Sequence, residues 1–172
     1  MKENKSYKRI IALLLCFACV AACCGCMAKE DKGAFSCTIS ISCKTARDNI
    51  DECLEQKKQC VPEDGIILSE TTLKFDEGAS VFDILEKACK ANKIQFEFTG
   101  TPANQSVYIE GINNLYEFDV TPLSGWLYKV NDWFPNFGCS KYAVKDGDVI
   151  CIEYTCNLGE DIGGGEAYGQ QQ

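Results

Sequence analysis

Cysteines, a knot of aromatic side chains and a few paired carboxylates are the residues of this chain whose types and spacing could do chemistry. There are 13 cysteines among 172 residues and no histidine. Lack of histidine removes the commonest general base and the commonest zinc ligand, and with them any Ser-His-Asp or Cys-His hydrolase. Eight cysteines lie beyond the N-terminal region: Cys37, Cys43, Cys53, Cys60, Cys89, Cys139, Cys151 and Cys156. None forms a Cys-x-x-Cys pair, which argues against a thioredoxin-like redox site and against a zinc knuckle. An even number in an exported chain permits up to four disulfides. The alternative is that several are buried thiols acting as small hydrophobes, which suits Cys37, Cys53 and Cys89 on apolar faces.

The aromatic knot is Trp126, Tyr128, Trp133, Phe134, Phe137 and Tyr142, six aromatics within 17 residues, mixed with Asn131, Pro135, Asn136 and Gly138. Flat apolar area beside amide side chains is the make-up of a ligand-binding rim. Filling a core is the competing use of the same residues. Trp126 is expected to be buried and Trp133 or Phe134 exposed. Trp126, Tyr128, Asn131, Trp133, Phe134, Asn136 and Tyr142 are the candidate ligand contacts. Among the acids, Asp146 and Asp148 flank Gly147, and Glu160 and Asp161 follow in the tail. No twelve-residue calcium loop is present, so turn chemistry and a solvated surface explain them. Nothing marks a carboxylate pair for glycoside hydrolysis. The chain is therefore read as a non-enzyme without a metal site or resident cofactor.

The N-terminus sets the compartment. Lys2, Lys5, Lys8 and Arg9 precede the apolar run Ile10–Ala22, the layout of a secretory signal peptide. Val20-Ala21-Ala22-Cys23 then resembles a bacterial lipobox, with Cys23 as the acylated residue. Two or three acyl chains hold a membrane where one is marginal. Cys26 is a second acylation candidate. An uncleaved anchor also fits, because residues 10–28 are 19 residues without a charge. Either way the domain is expected outside the cytoplasm, held at the cell membrane. Cleavage before Cys23 takes four basic and one acidic residue and moves the net charge from −8 to −11. That charge, with a pI near 4.6, excludes a nucleic-acid binder.

The elements that must position these groups follow from periodicity. Residues 1–22 are the signal, 23–34 a lipidated tether, 35–156 the domain and 157–172 a disordered Gly-rich tail. Phe35 to Cys43 alternates with period two and predicts a strand with one buried face. Ala46, Ile50, Cys53, Leu54 and Cys60 predict an amphipathic helix over 45–60, ended by Pro62-Glu63-Asp64-Gly65. Residues 66–75 predict a strand broken near Ser69-Glu70. Ser80 is the expected N-cap of a second helix, with Asp83 in its first turn and Asn92 as a left-handed end. Strands are predicted at 94–98, 106–112, 125–130 and 149–155, with turns at Asn131-Asp132 and Asp146-Gly147. The sum is an α+β fold: one β-grasp-like domain, a mixed sheet with two helices.

The segments SGWLYKVN, FPNFGCSKY and VKDGDVICIEYT within 124–155 resemble the signature of a family of bacterial surface lipoproteins. That family is a domain of unknown function described as similar to the C-terminal, β domain of transcobalamin. VPEDGIIL, EGASVFDILEKACK and YIEGINNLYEFD are similar to its upstream pieces, so the resemblance spans roughly residues 37–162. It implies a binding module with the 126–142 region as its surface and a corrinoid (cobalamin-like) ligand. This chain lacks the helical barrel that covers the other face of the ligand in transcobalamin, so a lone domain would offer half a site. The resemblance also implies a Cys139–Cys156 disulfide. A cell-surface protein- or glycan-interaction module is the alternative function.

Overall fold

Alternation builds the main sheet. Strand β1 (Phe35–Ser42) turns Cys37, Ile39 and Ile41 inward, all at most 2% exposed. The computed structural model describes residues 33–164, so the expected signal peptide, Cys23 and the end of the tail lie outside the described residues. The sheet adds β2 (Ile66–Phe75), β6 (Gly125–Val130) and β7 (Val149–Thr155), in the order β2-β1-β7-β6. The β1–β7 pair is parallel and the other two are antiparallel, so the sheet is mixed, as expected. Ile150, Ile152 and Tyr154 of β7 and Trp126, Tyr128 and Val130 of β6 face the same side as the β1 residues and are buried with them.

A second sheet was not foreseen. Strands β3 (Phe96–Thr99), β4 (Tyr108–Ile112) and β5 (Leu115–Tyr116) make a three-stranded antiparallel sheet of their own in the order β3-β4-β5. The molecule is thus a β-rich mixed fold with two sheets and few helices.

Among the described residues two α-helices are present, but the first is much shorter than its apolar spacing suggests. Only α1 (Lys44–Asp48) is helical, and Glu55–Cys60 forms a 3-10 turn instead. The Asn49 amide folds back onto the Thr45 carbonyl at 2.8 Å, and the Leu54 N–H is taken by the Asp119 carbonyl at 2.9 Å. Between them the Glu52 and Cys53 N–H groups make turn bonds to the Asn49 and Ile50 carbonyls, and local periodicity registers neither these turns nor the distant partner of Leu54.

The second helix, α2 (Val81–Asn92), buries Val81, Phe82, Ile84, Leu85, Ala88 and Cys89 in the common core. Its start is a reciprocal box: Ser80 Oγ accepts from the Asp83 N–H, and Asp83 Oδ2 accepts from the Ser80 N–H at 2.7 Å. Its end falls one residue later than expected. Lys93 takes the left-handed conformation (φ 57°), while Asn92 is the last helical residue and its amide donates to the Ala88 carbonyl.

The break in β2 is a bulge: Ile39 lies opposite Thr71 but Ile41 opposite Leu68, one residue more than an even ladder allows. Part of the tail is ordered, against expectation. Asp161 Oδ2 accepts from the Cys156 N–H at 2.7 Å, and Glu160–Ile162 closes a 3-10 turn. A carboxylate on two neighbouring donors (the other is the Thr155 hydroxyl) outweighs the flexibility of the glycines.

Replacing Ser80 by Ala removes one half of the box and leaves an orphan N–H. Denaturant unfolding should show a loss of about 1 kcal/mol; an unchanged midpoint would show that the box adds nothing to stability.

Candidate functional site

Two residues of backbone decide the shape of the site. Asn131 and Asp132 both have positive φ (51° and 64°), the conformation of the tight hairpin turn whose twist matches the strands. Val130 and Trp133 close it with N–H to carbonyl bonds of 2.9 and 3.0 Å. The Asn131 side chain locks it from outside: its amide donates to Asp148 Oδ1 at 2.8 Å and its carbonyl accepts from the Val149 N–H at 2.9 Å. Asp148, itself buried, also takes the Lys145 N–H at 2.9 Å.

After Trp133 the chain leaves the edge of β6 and crosses toward β4. Its far end is tied in three places. The Phe82 N–H, one of the orphan donors at the start of α2, bonds the Cys139 carbonyl at 3.2 Å. The Val107 N–H bonds Ser140 Oγ at 3.2 Å. Gly138 lies so close to β4 that a Cβ there would stand 2.9 Å from the Val107 oxygen. Between these ties and the turn, Tyr128 holds the loop down through its hydroxyl, which donates to the Phe137 carbonyl at 2.9 Å.

The space left between β6, β4 and this loop is a cleft of about 280 Å³. One wall is Trp126, Leu127 and Tyr128, the second Val107, Tyr108 and Ile109, and the third runs from Phe134 to Cys139. The β6 wall is also a sheet edge. Asn131 bonds Val149 of β7, so the alternate residues Lys129, Leu127 and Gly125 point their backbone groups at β7 as well. Trp126 and Tyr128 point theirs the other way, toward the cleft. Among the described residues, no hydrogen bond meets those two N–H and two C=O groups. The cleft thus combines aromatic and aliphatic walls with a short strip of unpaired strand edge.

The sequence-predicted site residues divide. Trp126, Tyr128, Phe134 and Asn136 line the cleft. Trp126 is buried, as expected, and its indole N–H is taken by the Leu115 carbonyl at 2.9 Å. Trp133 is the exposed aromatic, at 53%, and stands outside the lining, with Phe137 6.0 Å and Tyr142 6.3 Å from it, ring centre to ring centre. Burial, then the charge of Asp148, pushes the Tyr142 phenol above its ordinary value. Asn131 does not join the site, because both ends of its amide are engaged in the turn lock. Val107, Tyr108, Ile109 and Leu127 were missed. Their alternation reads as ordinary strand, and nothing local reveals that β4 lies across from β6.

Cys139 and Cys156 are a correction: all eight cysteines of the described residues are free. Cys139 lines the cleft near the start of α2, whereas Cys156 sits past the end of β7. The loop that carries Cys139 is held on β4 and α2, which keeps it from the end of β7. Burial pushes the thiols of Cys43, Cys89 and Cys139 up to about 12 and that of Cys156 up to about 11. Those four are protonated at neutral pH and are neither nucleophiles nor metal ligands there. Among the described residues no group of three or more Cys, Asp or Glu is arranged to hold a metal ion. Cys139, the cysteine on the cleft walls, is therefore a neutral thiol there.

Residues 78–156 match a protein family described as a domain of unknown function (DUF4430). The match covers the SGWLYKVN, FPNFGCSKY and VKDGDVICIEYT segments and all of α2. No curated protein matches the chain. Among solved structures, haptocorrin in complex with Cbi is similar at 18% identity and a TM-score of 0.48, over 72% of this chain and 25% of that one. A candidate metal-binding protein from Ruminococcus gnavus ATCC 29149 is similar at 15% identity and a TM-score of 0.42, over 72% of this chain and 98% of that one. The chain spans about a quarter of the length of the haptocorrin chain.

Two predictions follow from the thiols. Among the described cysteines, Cys60 and Cys151 are the half-exposed ones. Iodoacetamide on the native protein, read by mass spectrometry, should label these two before the six buried ones; early labelling of Cys139 would contradict its burial in the cleft wall. Raised thiol values in the fold mean that the neutral form is favoured there. Their contribution is complete below the ordinary value of 9.0 and is lost as pH rises from 9.0 toward about 12. Thermal unfolding should therefore shift to lower temperature between pH 9 and 11.

Proposed function

We propose that the cleft between β4 and β6 binds a flat, amphipathic small molecule, with a corrinoid as the ligand class. The observation that supports this is the pairing of aromatic walls with an unpaired strand edge in one concavity. A corrinoid is a flat macrocycle fringed with carboxamides. Its apolar plane suits Phe134 and the exposed Trp133, and its amides suit the backbone groups of Trp126 and Tyr128. The cleft, at about 280 Å³, falls just below the usual size of a small-molecule site. It would take one edge of such a ligand and leave the rest outside, which is a half-site that a partner could complete. In this reading the chain is a non-enzymatic binding module, exported and held at the cell membrane by acylated Cys23.

The same unpaired edge favours a second reading. An extended peptide could add to β6 as a further strand, with side chains in the aromatic pocket. This is the protein-interaction alternative in concrete form.

The two separate on titration of the purified chain with cobinamide, followed by corrinoid absorbance after dialysis. Retention that weakens at least about tenfold in Phe134→Ala, worth about 1.4 kcal/mol, is the expected result. Absence of retention at about 100 μM cobinamide, a dissociation constant above about 10⁻⁴ M, would remove the corrinoid and leave strand addition.

A further inference from the structure

At the end of the main sheet away from Trp133 the surface is apolar for a different reason. Four large apolar side chains stand exposed there: Leu54 at 46%, Phe118 at 60%, Leu123 at 44% and Leu158 at 49%. Backbone bonds tie their segments into one surface. The Leu54 N–H bonds the Asp119 carbonyl at 2.9 Å, the Phe118 N–H bonds the Ser124 carbonyl at 3.0 Å, and the Leu158 N–H bonds the Leu123 carbonyl at 3.1 Å. Two of the four, Phe118 (φ 64°) and Leu158 (φ 49°), are held in the left-handed region, which bulky residues avoid. Strain that presents an apolar side chain to water stabilises neither the core nor the loop, and such strain gathers at functional surfaces.

Charge says what covers this surface. Segments 117–124 and 157–162 hold four carboxylates, Glu117, Asp119, Glu160 and Asp161, and no Lys or Arg. The adjoining turn brings two lysines, but Lys57 pairs with Asp119 at 3.2 Å and Lys58 with Glu55 at 2.8 Å. An apolar patch with an acidic rim, on a chain of net charge −8, repels a second copy of itself and an anionic lipid surface alike. The patch lies a strand length, about 20 Å, from the turn at Asn131-Asp132, and it adjoins the cleft: the Tyr108 hydroxyl donates to Glu117 at 2.6 Å, and a Cβ on Gly159 would stand 2.8 Å from Leu127.

We propose that the surface formed by Leu54, Phe118, Leu123 and Leu158 docks a basic polypeptide segment, one that presents apolar side chains between lysines or arginines. The apolar side chains cover the four exposed residues, and the flanking cations meet the carboxylate rim. Such a contact is weakened by salt.

The test uses the purified chain and two labelled synthetic peptides of 14 residues, each with leucines at helical spacing, one with lysines and one with glutamates between them. Fluorescence anisotropy should show the lysine peptide binding at least tenfold tighter than the glutamate isomer, with binding weakened by 0.5 M salt. Leu123→Ser with Leu158→Ser, both exposed positions, should reduce binding at least tenfold, Glu160→Gln should reduce it severalfold, and Trp133→Ala should leave it unchanged. Equal affinity for the two peptides, or binding that survives the double leucine variant, would overturn the proposal. A dimer in sedimentation equilibrium that the double variant dissolves would overturn it in favour of a second copy. Co-sedimentation with phosphatidylglycerol vesicles, lost in the same variant, would overturn it in favour of a lipid surface.

Discussion

The tight turn at Asn131-Asp132 is the constraint from which the site follows. A hairpin normally covers the edge it turns away from, because the returning strand pairs along it. Here the returning chain pairs only at Trp133 and then leaves for β4. The groups of Trp126 and Tyr128 stay open as a result, and the departing loop becomes a wall facing them. The geometry needs a turn that does not slip, and a register change of one residue would exchange the inward and outward faces of β6. Asn131, Asp148 and the Val149 N–H supply that lock on the β7 side of the turn.

The loop itself is held by groups that would otherwise be unsatisfied. The first N–H groups of α2 have no partner within the helix, and those of Val81 and Phe82 are given to the Tyr142 and Cys139 carbonyls. Helix start, loop end and cleft wall are thus one unit, and the Ser80–Asp83 box that sets the helix start also sets the position of Cys139. The core beneath is ordinary: Ile39, Ile41, Ile150 and Ile152 are fully buried, each contributing about 1.5–3 kcal/mol relative to exposure. The candidate site lies in a thin layer above it, where the backbone is left incomplete.

Much of this was legible in the residues, and the failures have physical causes. The bounds of β6 and β7, the buried Trp126, the exposed Trp133, the Ser80 cap and the break near Ser69-Glu70 all follow from period and local chemistry. Those signals act over a few residues and survive folding. Asn131 was misread because an amide beside aromatics looks the same whether it serves a ligand or a turn, and only the distant Asp148 distinguishes the two. The 45–60 helix stops at Asp48, and the Leu54 N–H beyond it goes to the carbonyl of Asp119, far along the chain. Val107, Tyr108 and Ile109 were invisible as site residues for the same reason: which strand lies opposite which is a tertiary fact. The match over residues 78–156 covers the motifs that carried the resemblance, and its description names no function.

Amide hydrogen exchange along β6, with and without cobinamide, tests the central claim most directly. In the free protein the Trp126 and Tyr128 amides should exchange faster than those of Leu127 and Lys129, which face β7. Ligand in the cleft should slow Trp126 and Tyr128 and leave their neighbours as they were. Uniform protection along the strand without ligand would show that the edge is already paired. Protection appearing on β1 or β2 rather than β6 would place the ligand elsewhere, and either result would contradict the account.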